Sequence, residues 1–149
     1  MADVAEAAGW AVESIDYQGM PDPQTRVEKL VAWCKQEDES PVLVGSSMGG
    51  FVANAAASRI GALGLFLLAP ALYVPGYEES MPEHPSCPTL IVHGWRDDVV
   101  PWQGSVRYGS ETGAELILID GDHRLTANID MINRLLLDFL DELKGDRSQ

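Results

Sequence analysis

Short apolar runs alternate along this chain with stretches of helical period. Val42-Leu43-Val44, Gly64 to Ala69 and Thr89 to His93 are nearly continuous apolar segments. Strands covered on both faces read this way. Glu115 to Ile119 is a further run of the same kind, and Ala11 to Tyr17 alternates apolar and polar positions as a strand would. Between the runs the period changes. Ala2 to Ala8 reads as the last turns of a helix closed by Gly9. Asp22-Pro23 is a helix opening, with Asp as N-cap and Pro at the first helical position. Val27, Leu30, Val31 and Cys34 then form an apolar stripe of helical spacing. Gly50 to Arg59 is helix-like, and Val100 to Glu111 predicts a short helix. A tail helix is expected from Thr126 to Leu143, with Ile129, Ile132, Leu136, Phe139, Leu140 and Leu143 on one side. Gly145 to Gln149 reads as a frayed end. Ala71 to Ser86 carries no period and is expected to be a loop.

Strands that alternate with helices are joined by right-handed crossovers, which makes their sheet mostly parallel. The expectation is therefore an α/β fold. It has one mostly parallel sheet of about five strands, helices on both faces, and a single domain over residues 1–149.

Composition narrows the function. The formal charge is −13, from 23 acidic and 10 basic residues. Such a surface repels phosphate backbones and anionic lipid, so neither nucleic acid nor a membrane is an expected partner. No run is long and apolar enough to span a bilayer, and no basic segment followed by an apolar one opens the chain. Two cysteines, Cys34 and Cys87, make no disulfide framework and fit a reducing cytoplasm. No His, Cys and Asp cluster has metal spacing, and no glycine-rich phosphate loop or dinucleotide fingerprint appears, so no metal and no cofactor are expected. Oligomeric state is not legible.

The chemistry lies at the ends of the runs. Gly45-Ser46-Ser47-Met48-Gly49 follows Val42-Leu43-Val44 and precedes a helical stretch. This is a Gly-x-Ser-x-Gly pattern between a strand and a helix, where a nucleophile elbow holds its serine on a strained turn. Ser47 satisfies it and Ser46 does not, since Val44 stands where the first glycine belongs. The two glycines are expected because no side chain fits where the turn presses on its neighbours. Asp97 lies in the loop after Thr89 to His93, and His123 follows the strand Glu115 to Ile119. Strand ends of a parallel sheet share one edge, so these distant residues can converge there.

Three blocks, Gly45 to Gly49, His93 to Pro101 (His-Gly-x-x-Asp-x-x-Val-Pro) and Gly121 to His123, resemble the α/β-hydrolase superfamily. The order Ser47, Asp97, His123 is that family's order, and the chain looks like a small serine esterase without a lid domain. The resemblance runs from about Gly9 onward. It implies Ser47 as nucleophile, His123 as general base and acid, and Asp97 as the carboxylate that orients it. It implies the backbone N–H of Met48 as one oxyanion donor. A small carboxylic ester, or a thioester, is the implied substrate. Trp95, Trp102, Tyr73, Tyr77 and Met81 are candidates for a substrate pocket. The resemblance also shows a departure. Family members enter the sheet with a strand ending in a His-Gly loop that gives the second oxyanion donor, and no such strand precedes Ala11 to Tyr17. The native protein is accordingly expected to begin upstream of Met1.

Each assignment has a plainer competitor. Asp98 is the alternative carboxylate, but the spacing to Val100-Pro101 favours Asp97. His93 ends a strand and reads as a packed structural residue. Asp120 and Asp122 read as turn formers around His123. The competing function is a hydrolase-like scaffold that binds without turnover because its oxyanion hole is incomplete.

Overall fold

The computed structural model describes residues 1–75 and 84–147, without the side chain of residue 147. Nine main elements follow the expected alternation: α1 (Ala2–Ala7), α2 (Pro23–Cys34), β1 (Val42–Ser46), α3 (Met48–Ile60), β2 (Gly64–Leu68), β3 (Thr89–Gly94), α4 (Gln103–Thr112), β4 (Glu115–Ile119) and α5 (Ile129–Arg147). The four strands form one parallel sheet in the order β1-β2-β3-β4, with Val44 beside Phe66, Leu67 beside Ile91 and Val92 beside Ile117.

Alternate residues of the central strands feed two cores. Leu65, Leu67 and Ile91 pack with Val27, Leu30 and Phe51 of α2 and α3, and with Tyr108 of α4. Phe66, Leu90 and Val92 turn the other way onto Ile132, Leu136 and Phe139 of α5, and Ala5 of α1 joins them. Both faces of β2 and β3 are thus dry, which is why their sequences are continuously apolar. A buried polar pair crosses the first core, where the Tyr108 hydroxyl donates to Asn54 Oδ1 at 2.6 Å and ties α4 to α3. The α2 cap forms as expected. Asp22 accepts from the Thr25 N–H at 2.7 Å, and Pro23 stands at the first turn, where no N–H is needed.

Three expectations about the elements are corrected. Ala11 to Tyr17 is not a strand, so the sheet has four strands where about five were expected. Its C-terminal end is tied locally and to α2. Gln18 N–H donates to Asp16, Met20 N–H to the Tyr17 carbonyl, Lys29 to the Asp16 carbonyl and Arg26 to the Met20 carbonyl. The segment straddles both cores, with Trp10 and Val12 against the α5 side and Ile15 and Tyr17 against the α2 side. The short helix begins later than Val100, at Gln103, because Pro101 disfavours helical backbone at Val100. The tail begins as a 3₁₀ turn, Thr126–Asn128, and its α-helix runs on through Arg147, past the expected fraying point at Gly145.

The missing fifth strand leaves β1 as an edge. Pro41 accepts from Leu63 N–H and Ser47 donates to the Leu68 carbonyl, so odd-numbered backbone groups face β2. Those of Val42, Val44 and Ser46 face outward, and among the described residues no strand pairs with them. A groove of about 1020 Å³ runs along this edge between Trp10, Ile15, Trp33, Val44 and Leu136. Val44 is 48 % exposed there, unusual for an apolar residue in mid-strand.

Candidate active site

Ser47 stands at the junction of β1 and α3 with φ 53° and ψ −121°, a region an L residue enters only under constraint. The constraint is a set of hydrogen bonds. Ser47 N–H donates to the Leu68 carbonyl at 3.0 Å, and its own carbonyl accepts from Gly50, Phe51 and Ala71. Gly45 makes the turn possible, since a Cβ there would lie 2.3 Å from the Gly49 carbonyl oxygen. Gly49 itself faces open space, which corrects the expectation that both motif glycines are sterically required. The second tight position is Gly50, where a Cβ would meet Pro70 at 2.7 Å.

The other two loops are held against each other. A Cβ on Gly94 would come within 2.1 Å of the Gly121 carbonyl oxygen, so only glycine allows the end of β3 to approach the β4 loop. Trp95 N–H bonds to Ile119, and Arg96 N–H bonds to the Gly121 carbonyl. Asp120 forms an ion pair with Arg96 at 2.7 Å, and Asp122 accepts from the N–H groups of Arg124 and Leu125. The flanking aspartates thus shape the turn that carries His123, as the sequence suggests.

These constraints bring the three residues together. His123 Nε2 is 3.1 Å from Ser47 Oγ, and His123 Nδ1 is 2.7 Å from Asp97 Oδ2. The carboxylate at hand is Asp97. Its side chain is fully buried, and its Oδ1 accepts from the N–H groups of Val99 at 2.9 Å and Val100 at 2.8 Å. Burial alone would raise the Asp97 pKa. The Val100 N–H, the His123 imidazole and the Val99 N–H outweigh it and hold the carboxyl below its ordinary value. Asp97 is therefore ionised at neutral pH.

One residue read as structural lies inside this network. His93 is wholly buried, with Nε2 3.0 Å from Asp97 Oδ2 and 3.1 Å from the Val100 carbonyl, and Nδ1 2.8 Å from Ser105 Oγ. Burial pushes its pKa down. Sequence reasoning passed over Ser105, also wholly buried, because nothing local in sequence marks it.

Met48 is the first residue of α3, so its N–H has no acceptor within the helix. It stands beside Ser47 at the positive end of the helix dipole. The pocket candidates are dispersed. Tyr73 gives its hydroxyl to Glu111, under the Arg107 guanidinium 3.9 Å from its ring centre, and its pKa is raised to about 12, mainly by burial. Trp95 is 54 % exposed, and Trp102 caps the start of α4. Tyr77 and Met81 lie outside the described residues. Among the described residues no group of His, Cys, Asp and Glu could hold a metal ion, and no helix is long and apolar enough to cross a membrane.

Comparison with known proteins agrees with the geometry. No curated protein sequence matches the chain. Among solved structures, a protein assigned to the alpha/beta hydrolase superfamily from Xanthomonas campestris pv. campestris superposes with a TM-score of 0.86 at 26% identity, covering 95% of this chain and 87% of its own. A predicted CIB-like hydrolase from Thermoplasma acidophilum gives 0.67 at 26% identity, covering 89% of this chain and 67% of that one. Est1E from Butyrivibrio proteoclasticus, at 19% identity and a TM-score of 0.67 over 80% of this chain and 68% of its own, shares the fold. The sequence profile of the alpha/beta hydrolase domain matches residues 17–131, most of the chain, and with these strands, loops and site it shows that the chain belongs to the alpha/beta hydrolase family.

Proposed function

We propose that this hydrolase cleaves small carboxylic esters through an acyl-enzyme on Ser47. The observation that carries the reading is His123, which bridges Ser47 Oγ at 3.1 Å and a buried, ionised Asp97 at 2.7 Å. A serine hydroxyl is a weak nucleophile until a base takes its proton. His123 Nε2 accepts that proton as Oγ bonds to the ester carbonyl carbon, and Asp97 stabilises the resulting imidazolium. The alkoxide leaves with the proton from His123. Water then attacks the acyl carbon and gives its proton to His123 Nε2, and Ser47 Oγ recovers it as the acid departs. The Met48 N–H faces the oxygen that becomes negative in both steps. Thioesters follow the same path, the thiol leaving with the proton from His123.

The open β1 edge favours a second reading, a scaffold that binds esters without turning them over. Among the described residues no strand pairs with that edge, where the resemblance places the strand and loop that carry the second oxyanion donor; loss of one such donor slows acyl transfer by roughly 10²–10³. A fluorophosphonate probe separates the two. The esterase reading expects a covalent adduct on Ser47 by mass spectrometry and no adduct in Ser47→Ala. Labelling that survives Ser47→Ala excludes Ser47 as nucleophile, and an unlabelled, folded wild type supports the scaffold.

A further inference from the structure

His93 is the penultimate residue of β3, and neither its side chain nor that of Asp97 is exposed. Its Nε2 faces two acceptors, Asp97 Oδ2 and the Val100 carbonyl oxygen. A nitrogen between two acceptors must carry hydrogen, because a lone pair there would repel both. Burial favours the neutral ring. With the proton on Nε2, Nδ1 is an acceptor, and the buried Ser105 hydroxyl 2.8 Å away donates to it. The hydrogen-bond partners thus select one tautomer of His93.

The result for Asp97 is saturation. A carboxylate offers about four lone-pair directions. Here Oδ1 accepts from Val99 and Val100, and Oδ2 accepts from His123 and His93. The titratable groups facing this carboxylate are the two imidazoles, and those facing His93 are Asp97 and, farther off, His123.

We infer that His93, its tautomer fixed by Ser105, is a positioning residue for Asp97: its Nε2–H holds the carboxylate toward the His123 imidazole. Without that N–H the carboxylate can turn about its last bond. The His123 Nδ1–H then loses its fixed acceptor, and Nε2 is no longer held toward Ser47 Oγ. For turnover this inference rests on the acyl-enzyme reading; for the state of the imidazoles it does not.

The test uses the whole chain with ¹⁵N-labelled histidine, in wild type, His93→Gln and His93→Leu. Glutamine can place an amide N–H near the lost Nε2, and leucine cannot. In wild type, long-range ¹H–¹⁵N spectra at neutral pH should show His93 as a neutral Nε2–H tautomer. A cationic or Nδ1–H His93 overturns the inference with no variant needed, even if leucine prevents folding. In His93→Leu the His123 Nδ1–H proton resonance, set downfield by its bond to Asp97, should move upfield as that bond loosens. On a small aryl ester its kcat should fall about tenfold with KM within about twofold. His93→Gln should restore most of both. An unmoved His123 Nδ1–H resonance in folded His93→Leu, or equal behaviour of the two variants, reduces His93 to packing. Should wild type hydrolyse no ester, the esterase reading fails, while the NMR shifts still decide the role of His93.

Discussion

At the scale of single residues, the site depends on one carboxylate in a dry place. Asp97 accepts four hydrogen bonds, whereas Asp98 next to it belongs to none of those described. Asp97→Asn presents His123 with an amide that disfavours the required tautomer, and kcat for ester hydrolysis should fall by roughly 10³–10⁴. Asp98→Asn should leave kcat within about twofold. The same residue links pH to stability. Its folded pKa is depressed, so its contribution is fully present above the unfolded value, near 4, and is lost as pH falls through the lower folded value. The gap between wild type and Asp97→Asn in urea midpoint should therefore be wide at neutral pH and narrow below about pH 4. A gap independent of pH would mean that the carboxyl does not titrate differently on folding.

At the scale of elements, the strand-to-helix turn carries the strain. Ser47 is held at positive φ because β1 and α3 leave no other route, and Gly45 and Gly50 admit the close approach. The two motif glycines should then behave differently. Gly45→Ala places a Cβ 2.3 Å from a backbone oxygen that cannot give way, and should destabilise the fold by at least about 1–3 kcal/mol. Gly49→Ala meets nothing within 4 Å and gains helix propensity at a helical position, so its melting temperature should equal or exceed that of wild type. Thermal melts of the two variants check this. The motif shows that glycines are present, but which one is packed depends on where Pro70 and the Gly49 carbonyl come to rest.

At the scale of the molecule, the sheet is well covered on its faces, and among the described residues its β1 edge has no strand beside it. The outward backbone groups of Val44 and Ser46 have no ladder partner among the described residues, while Leu43 and Gly45 bond toward β2. Amide hydrogen exchange should follow that alternation, fast at Val44 and Ser46 and slow at Leu43 and Gly45. Uniform protection along β1 would show that something pairs with the edge in solution. The groove beside that edge reaches Ser46 and Gly49, so the condition of the sheet edge and that of the nucleophile turn are adjacent problems.

Sequence alone determined the four parallel strands, because strands buried on both faces must be continuously apolar and their turn residues mark the ends. It determined Ser47, Asp97 and His123 as the residues to watch, since each follows a strand and strand ends of a parallel sheet share an edge. It failed at Ala11 to Tyr17, where the alternation is real but a strand also needs a neighbour with free hydrogen-bonding groups in reach. There the segment lines a groove, and its end at Asp16 and Tyr17 is held by a turn and by Lys29 of α2. Only the tertiary structure joined His93 and Ser105 to the site. A buried histidine between apolar neighbours looks like packing until the α4 hydroxyl and the Asp97 carboxylate arrive at 2.8 and 3.0 Å from its two nitrogens. Periodicity reports which face a side chain takes, and hydrogen bonds between distant elements are decided by how those faces meet.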